Sequence, residues 1–144
     1  VEAYVIRIIE GDTLQVKIGG KFDRVRMIGV DAPDIEHKNK PAQYYGPEAE
    51  RYTRVQLTNR TVFLELDVQH RDKTGQLLAY VWTVPPAAGD EADARANMFN
   101  ALLLRDGCAR LATGPPNVKY AECFKVCQQE AKDLSRGLWD LPLK

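Results

Sequence analysis

Two adjacent glycines, Gly19-Gly20, dictate how this chain must begin to fold. The six residues before them, Thr13-Leu14-Gln15-Val16-Lys17-Ile18, alternate apolar and polar side chains, as a strand with one buried face does. Glycine pairs between two such runs mark a hairpin turn. A second turn signal, Glu10-Gly11-Asp12, stands on the other side of this strand, after a first strand over Val1 to Ile9. A third strand is expected from Phe22 to Val30.

Asp34 to Tyr44 is polar and irregular, a surface loop. Gly46-Pro47 opens a helix, because the missing N–H of a proline costs little in the first turn. Ala49, Tyr52, Thr53 and Leu57 share one face of it. Strands are expected over Thr61 to Val68 and Leu77 to Trp82, joined by a loop from His70 to Gly75. Pro85 to Arg95 reads as an exposed acidic insertion, Met98 to Arg105 as a second helix ending at Gly107, and Asn117 to Arg136 as a third ending at Gly137. Five strands in meander-like order, with a helix between the third and fourth, imply a small closed barrel of the oligonucleotide/oligosaccharide-binding (OB) type. The fold class is therefore α+β, a five-stranded OB-type barrel with three helices, and residues 1–144 form a single domain.

Composition limits the function. Lys plus Arg and Asp plus Glu are 20 each, so the formal net charge is zero. A protein that binds nucleic acid by bulk charge carries a basic excess; any such contact here must come from a local patch. No apolar run is long enough to span a bilayer, so no membrane role is expected. The chain opens on a strand residue, Val1, which says nothing about compartment. Three cysteines make no disulfide framework. Cys108 reads as core, and Cys123 and Cys127, one helical turn apart, as free thiols. His37 and His70 lie in polar stretches and read as exposed loop residues. Trp82 and Tyr120 read as packing residues, and Trp139 as a helix-docking one.

Chemistry concentrates in Arg26-Met27-Ile28-Gly29-Val30-Asp31-Ala32-Pro33-Asp34 and in the upstream turn that holds Asp12. Carboxylate oxygens in a cluster suit Ca²⁺ or Mg²⁺. A guanidinium fork suits phosphate. Arg26 lies in an apolar strand, where it needs an anion: an internal partner such as Asp12 or Asp31, or a bound phosphate. On a regular strand Arg26 and Asp31 would face opposite sides, so a bend or bulge before Asp31 is required to aim both at one pocket.

These motifs, in this order, resemble the thermonuclease (staphylococcal nuclease-like) family: Gly11-Asp12-Thr13, Arg26, Val30-Asp31-Ala32-Pro33-Asp34, Tyr45-Gly46-Pro47-Glu48-Ala49, Arg71-Asp72-Lys73-Thr74-Gly75, Leu78-Ala79-Tyr80-Val81-Trp82, Pro116-Asn117 and Gly137-Leu138-Trp139. The resemblance implies the same barrel with three helices and a Ca²⁺-dependent nuclease acting on DNA or RNA, single strands preferred, as a monomer. It favours a secreted or cell-envelope address. It implies Ca²⁺ ligands from the carboxylates of Asp12 and Asp31 and the backbone carbonyl of Ala32. It also implies a phosphate ligand at Arg26 and a water-orienting acid at Asp34; Lys73 and Arg71, close to Gln76 in sequence, are candidates for a second phosphate contact.

Three departures from the family pattern bear on activity. Asp34 stands where the family has Glu, one methylene longer, with Glu36 close by. Gln76 stands where the family has a transition-state arginine. Ala112 and Gly114 stand where the best-known member has two tyrosines. A nuclease of reduced activity is the first expectation, and a catalytically impaired OB-type module that binds single-stranded nucleic acid or a protein partner is the alternative.

Overall fold

A computed structural model describes residues 1–36 and 39–140. His37 and the last four residues lie outside the described residues. The opening strands form as expected: β1 (Glu2–Glu10), β2 (Thr13–Ile18) and β3 (Lys21–Met27) pair antiparallel in succession. The expected third strand, however, ends at Met27. Its continuation, β4 (Gly29–Asp31), leaves the barrel and pairs with β7 (Arg110–Ala112) in a separate two-stranded sheet. β5 (Thr61–Glu65) is shorter than expected, and β6 (Leu77–Trp82) falls on its predicted bounds.

The barrel closes in the order β1-β2-β3-β6-β5, with β5 returning antiparallel to β1. It is a meander in its first three strands only. β6 lies parallel to β3, so the chain crosses over before that contact. Two bulges in β1, between Val5 and Arg7 and between Ile8 and Glu10, bend the strand far enough to pair with both neighbours. Inward residues such as Val5, Leu14, Val16, Val25, Val62 and Val81 fill the interior.

Four α-helices are present among the described residues, one more than expected. α1 (Gly46–Leu57) buries Gly46, Ala49, Thr53 and Leu57 at near-helical spacing, and Tyr52 is half-buried beside them. Part of the expected acidic insertion is helical. α2 (Glu91–Asn97) is capped by Asp90, whose side chain accepts from the Asp93 N–H. Met98 is extended, with φ −93° and ψ 122°, and bridges to Trp82. It thereby separates α2 from α3 (Phe99–Arg105). α4 (Ala121–Asp133) buries Cys123, Phe124, Cys127 and Ala131. The last turn, Gly137–Trp139, docks through Leu138, whose N–H donates to the Gly107 carbonyl at 2.8 Å. Trp139 packs beneath the charged heads of Lys132 and Arg110. All three cysteines are buried free thiols, Trp82 and Tyr120 are buried, and His70 is exposed.

Candidate functional site

The break between β3 and β4 supplies the bend that the sequence requires. Gly29 has φ +79°, a left-handed conformation that costs a residue with a side chain about 1–2 kcal/mol. A Cβ there would also fall 2.6 Å from the Phe124 ring. The backbone around the break is pinned by Asn100, a fully buried polar side chain on α3. Its Nδ2 donates to the carbonyls of Ile28 (2.9 Å) and Ala79 (3.3 Å), and its Oδ1 accepts from the Val81 N–H (2.8 Å). One amide therefore ties α3, β6 and the strand break together. The polar residue inside Phe99-Asn100-Ala101-Leu102-Leu103-Leu104 was the sequence signal for it.

Past the bend, Asp31 comes round to Arg26. The Arg26 guanidinium stands 3.5 Å from Asp31 Oδ1 and 3.5 Å from Asp12 Oδ2. It also donates to the Val30 carbonyl at 3.3 Å. Asp12 arrives from the β1–β2 turn, which sits on β3 through a bond from the Met27 N–H to the Asp12 carbonyl. Thr53 of α1 holds the same turn from the other side, donating to the Gly11 carbonyl at 2.7 Å. Asp12 is fully buried, whereas the Asp31 side chain is 62% exposed. Asp12 Oδ1 accepts from the Thr13 hydroxyl and Oδ2 from the Ala32 N–H, each at 2.8 Å. Burial raises the pKa of Asp12 above its ordinary value of 3.8; Arg26 and the two hydrogen bonds oppose that shift and Asp31 adds to it.

Among the described residues, no three His, Cys, Asp or Glu side chains converge on one metal position. The donor set nevertheless suits a hard cation. Each Asp12 oxygen accepts a single hydrogen bond and keeps a free lone pair. Two carboxyl groups, Asp12 and Asp31, share one guanidinium. The protein would contribute two or three oxygens, and water or substrate the rest of the six to eight that Ca²⁺ takes.

The other expected site residues are placed less directly. Asp34 sits beyond Pro33, its backbone held by Gln43: the Asp34 N–H donates to Gln43 Oε1 (2.9 Å) and its carbonyl accepts from the Gln43 N–H (3.0 Å). Gly46 seats this loop on α1, since a Cβ there would lie 2.0 Å from the Asp34 carbonyl oxygen. Glu36 is exposed. Gln76 ends a tight turn in which the Asp72 carboxylate accepts from the N–H groups of Thr74 and Gln76 and from the Thr74 hydroxyl. Burial raises the Asp72 pKa, but these bonds, together with Arg26, outweigh it and hold the group below the usual carboxylate range. Lys73 is exposed at the tip of the same turn. Arg71 forms a fork on Asp23, at 2.8 and 3.1 Å, and donates to the Gly75 carbonyl, so it braces the turn. A cleft beside Arg26 is walled by Gln69, Asp72, Leu78, Gly114 and Pro116. Asn117 fixes its outer wall by donating to the Gln69 carbonyl and accepting from the Gln69 N–H.

Comparison with known proteins places this arrangement. The family described as Staphylococcal nuclease homologue matches residues 24–141. The chain belongs to the staphylococcal nuclease family. It is 43% identical to a thermonuclease of Staphylococcus hyicus, over 94% of this chain and 73% of that protein. It is 41% identical to a thermonuclease of Staphylococcus intermedius, over 96% and 77% respectively. It is 36% identical to Endonuclease YncB of Bacillus subtilis, over 92% of this chain and 59% of that protein. The fold and the order of motifs are thus those of the family that the sequence resembles. No described helix is long and apolar enough to cross a membrane.

Proposed function

We propose that this chain is a Ca²⁺-dependent nuclease that hydrolyses phosphodiester bonds of DNA or RNA, slowed by the glutamine at position 76. The observation that carries the reading is Arg26, whose guanidinium is held between Asp12 and Asp31 at the edge of an open cleft. An arginine held by two acids at 3.5 Å, longer than a direct hydrogen bond, keeps donors for a phosphate oxygen. Asp12, Asp31 and the carbonyl of Ala32 would hold the cation. When bound, Ca²⁺ offsets charge developing on the phosphoryl oxygens. Arg26 binds and orients the phosphate, and Asp34 holds a water in line with it. Lys73 is the candidate for a second phosphate contact rather than Arg71, because Arg71 is engaged with Asp23. The reading includes single strands as the preferred substrate, a monomer as the working form, and a secreted or cell-envelope address. Membership of the family and the names of the relatives support the nuclease part of the reading.

Gln76 favours a second reading, an OB-type module that binds without cutting, because an amide brings no positive charge to the transition state. Removal of one transition-state donor costs on the order of 10²–10³ in rate. The deciding experiment measures cleavage of single-stranded DNA in Ca²⁺ and in EDTA by the unaltered chain, Asp12→Ala and Gln76→Arg. The expected result is slow cleavage by the unaltered chain that needs Ca²⁺, disappears in Asp12→Ala, and rises on the order of 10²–10³ in Gln76→Arg. Absence of cleavage by both the unaltered chain and Gln76→Arg would overturn the nuclease reading.

A further inference from the structure

Zero net charge leaves open how this chain would hold a polyanion. The outward face of the barrel answers this. On β3, Phe22, Arg24 and Arg26 alternate with the inward Val25 and Met27, so all three point the same way. The strand register places Lys17 of β2 opposite Phe22, Gln15 opposite Arg24 and Thr13 opposite Arg26. It also places Tyr4 of β1 opposite Lys17, and Arg7 opposite Gln15. The outward side chains of β2 and β3 therefore include no acid. The acids of this face, Glu2 and Glu10, stand at the two ends of β1. Asp23, on the other parity of β3, is neutralised by the Arg71 fork.

Two aromatic side chains lie open on this face: Phe22 is 66% exposed and Tyr4 is 44% exposed. The Lys17 ammonium stands 5.7 Å from the Phe22 ring centroid. Arg7 and Arg24 are exposed. Cations interleaved with open aromatic rings are what a single strand needs, since its phosphates pair with the cations and its bases stack on the rings. Along β3, successive outward positions are about 6.6 Å apart. The stripe Phe22–Arg24 runs straight into Arg26, the phosphate-binding arginine of the proposed site.

We propose that the outward face of β1, β2 and β3 is a track for single-stranded nucleic acid, leading away from the scissile phosphate. Arg24, Arg7 and Lys17 take backbone phosphates, and Phe22 and Tyr4 take bases. The track rests on the nuclease reading for its direction, because Arg26 marks the end at which the strand enters the site. It is independent of base identity, since rings and cations read stacking and charge.

The test separates the track from the cutting site. Binding of a fluorescent oligothymidylate of about 20 nucleotides, longer than one OB-fold site, is measured by anisotropy in EDTA across a salt series. Variants are Arg7→Ala/Arg24→Ala, Phe22→Ala, and the charge-matched control Lys125→Ala/Lys132→Ala on α4. Ca²⁺-dependent cleavage of a dinucleotide is followed in parallel. Loss of two phosphate contacts should flatten the plot of log K against log salt by about 1.4, at roughly 0.7 per contact for a single strand. Affinity for the long strand should fall about tenfold or more in Arg7→Ala/Arg24→Ala and in Phe22→Ala. The α4 control, and every variant's cleavage of the dinucleotide, should be unchanged. Unchanged affinity and slope in both track variants would overturn the track, even if the dinucleotide is cut normally. A chain that binds the long strand through this face but cuts nothing would uphold the track and overturn the nuclease reading. A chain that binds no strand would overturn the track directly.

Discussion

Replacement of Gly29 by alanine should be among the most destabilising single-methyl additions in this protein. Two costs combine. At φ +79° an alanine loses about 1–2 kcal/mol to the clash of its Cβ with the backbone. The methyl would also fall 2.6 and 2.7 Å from two carbons of the Phe124 ring. Phe124 is 1% exposed and packed against Tyr80 and Tyr120, so the ring cannot step aside freely. Overpacking of this kind costs about 1–3 kcal/mol. The total is about 2–5 kcal/mol, a large share of the 5–15 kcal/mol typical of a domain. With a urea m-value of about 2 kcal/mol/M, the midpoint should fall by about 1–2.5 M. Urea unfolding followed by tryptophan fluorescence reads this directly. Gly19→Ala is the comparison: its φ is +54°, but a Cβ there meets nothing within 4 Å, so only the backbone cost should appear. Shortening the ring in Gly29→Ala/Phe124→Leu should cost less than the sum of the two single changes, because the clash is shared. A midpoint shift in Gly29→Ala no larger than that in Gly19→Ala would refute the claim that the strand break is locked against Phe124.

Asp12→Asn should remove stabilisation by Ca²⁺: the unaltered chain should gain about 2.7 kcal/mol at a hundredfold excess of the ion over its Kd, read as a rise in Tm, and the variant nothing. The same substitution has a signature in pH. Because folding raises the Asp12 pKa, its protonated form adds stability that is complete below the unfolded value of 3.8 and lost as pH rises through the higher folded value. In metal-free buffer, Asp12→Asn should therefore gain stability relative to the unaltered chain as pH rises from about 4 toward neutrality; parallel pH profiles would contradict this. Asn100→Leu should cost about 2–5 kcal/mol in urea unfolding, since it strands the Val81 N–H and leaves the Ile28 and Ala79 carbonyls without their side-chain donor. A cost below about 1 kcal/mol would mean that the amide network does not hold the bend.

Residues that alternate within one strand, or share one helix face, could be read in advance. The barrel strands and α1 belong to this group because their burial is local and periodic. What escaped the reading depends on partners far along the chain. Met27 to Asp31 is uniformly apolar up to its last residue, so periodicity alone hides the departure of β4, whose partner β7 lies beyond residue 109. The geometric need for a bend before Asp31 was legible; the structure puts it at Gly29. The helix α2 was masked by Pro85-Pro86, although Asp90 followed three residues later by Asp93 is a capping pair. Among the site residues, Arg26 in an apolar strand called for an acidic partner, and the family resemblance joined Asp12 and Asp31 in one site. The Arg71 fork on Asp23 had no such signal, because it joins β3 to a loop whose approach is set only by barrel closure.

That closure also sets an order in time. Arg26 pairs on one side with Thr13, available almost as soon as it is made, and on the other with Leu78, which is made much later. At about 5–20 residues per second, a ribosome takes roughly 3–10 s to travel between them. In any sheet of β1 to β3 formed during that interval, β3 is an open edge, the kind of surface that recruits other nascent chains. Arg24 and Arg26 sit on that edge strand, and charges so placed discourage pairing with foreign strands. The arginines that point outward from the finished barrel thus guard the strand while the barrel is still unmade.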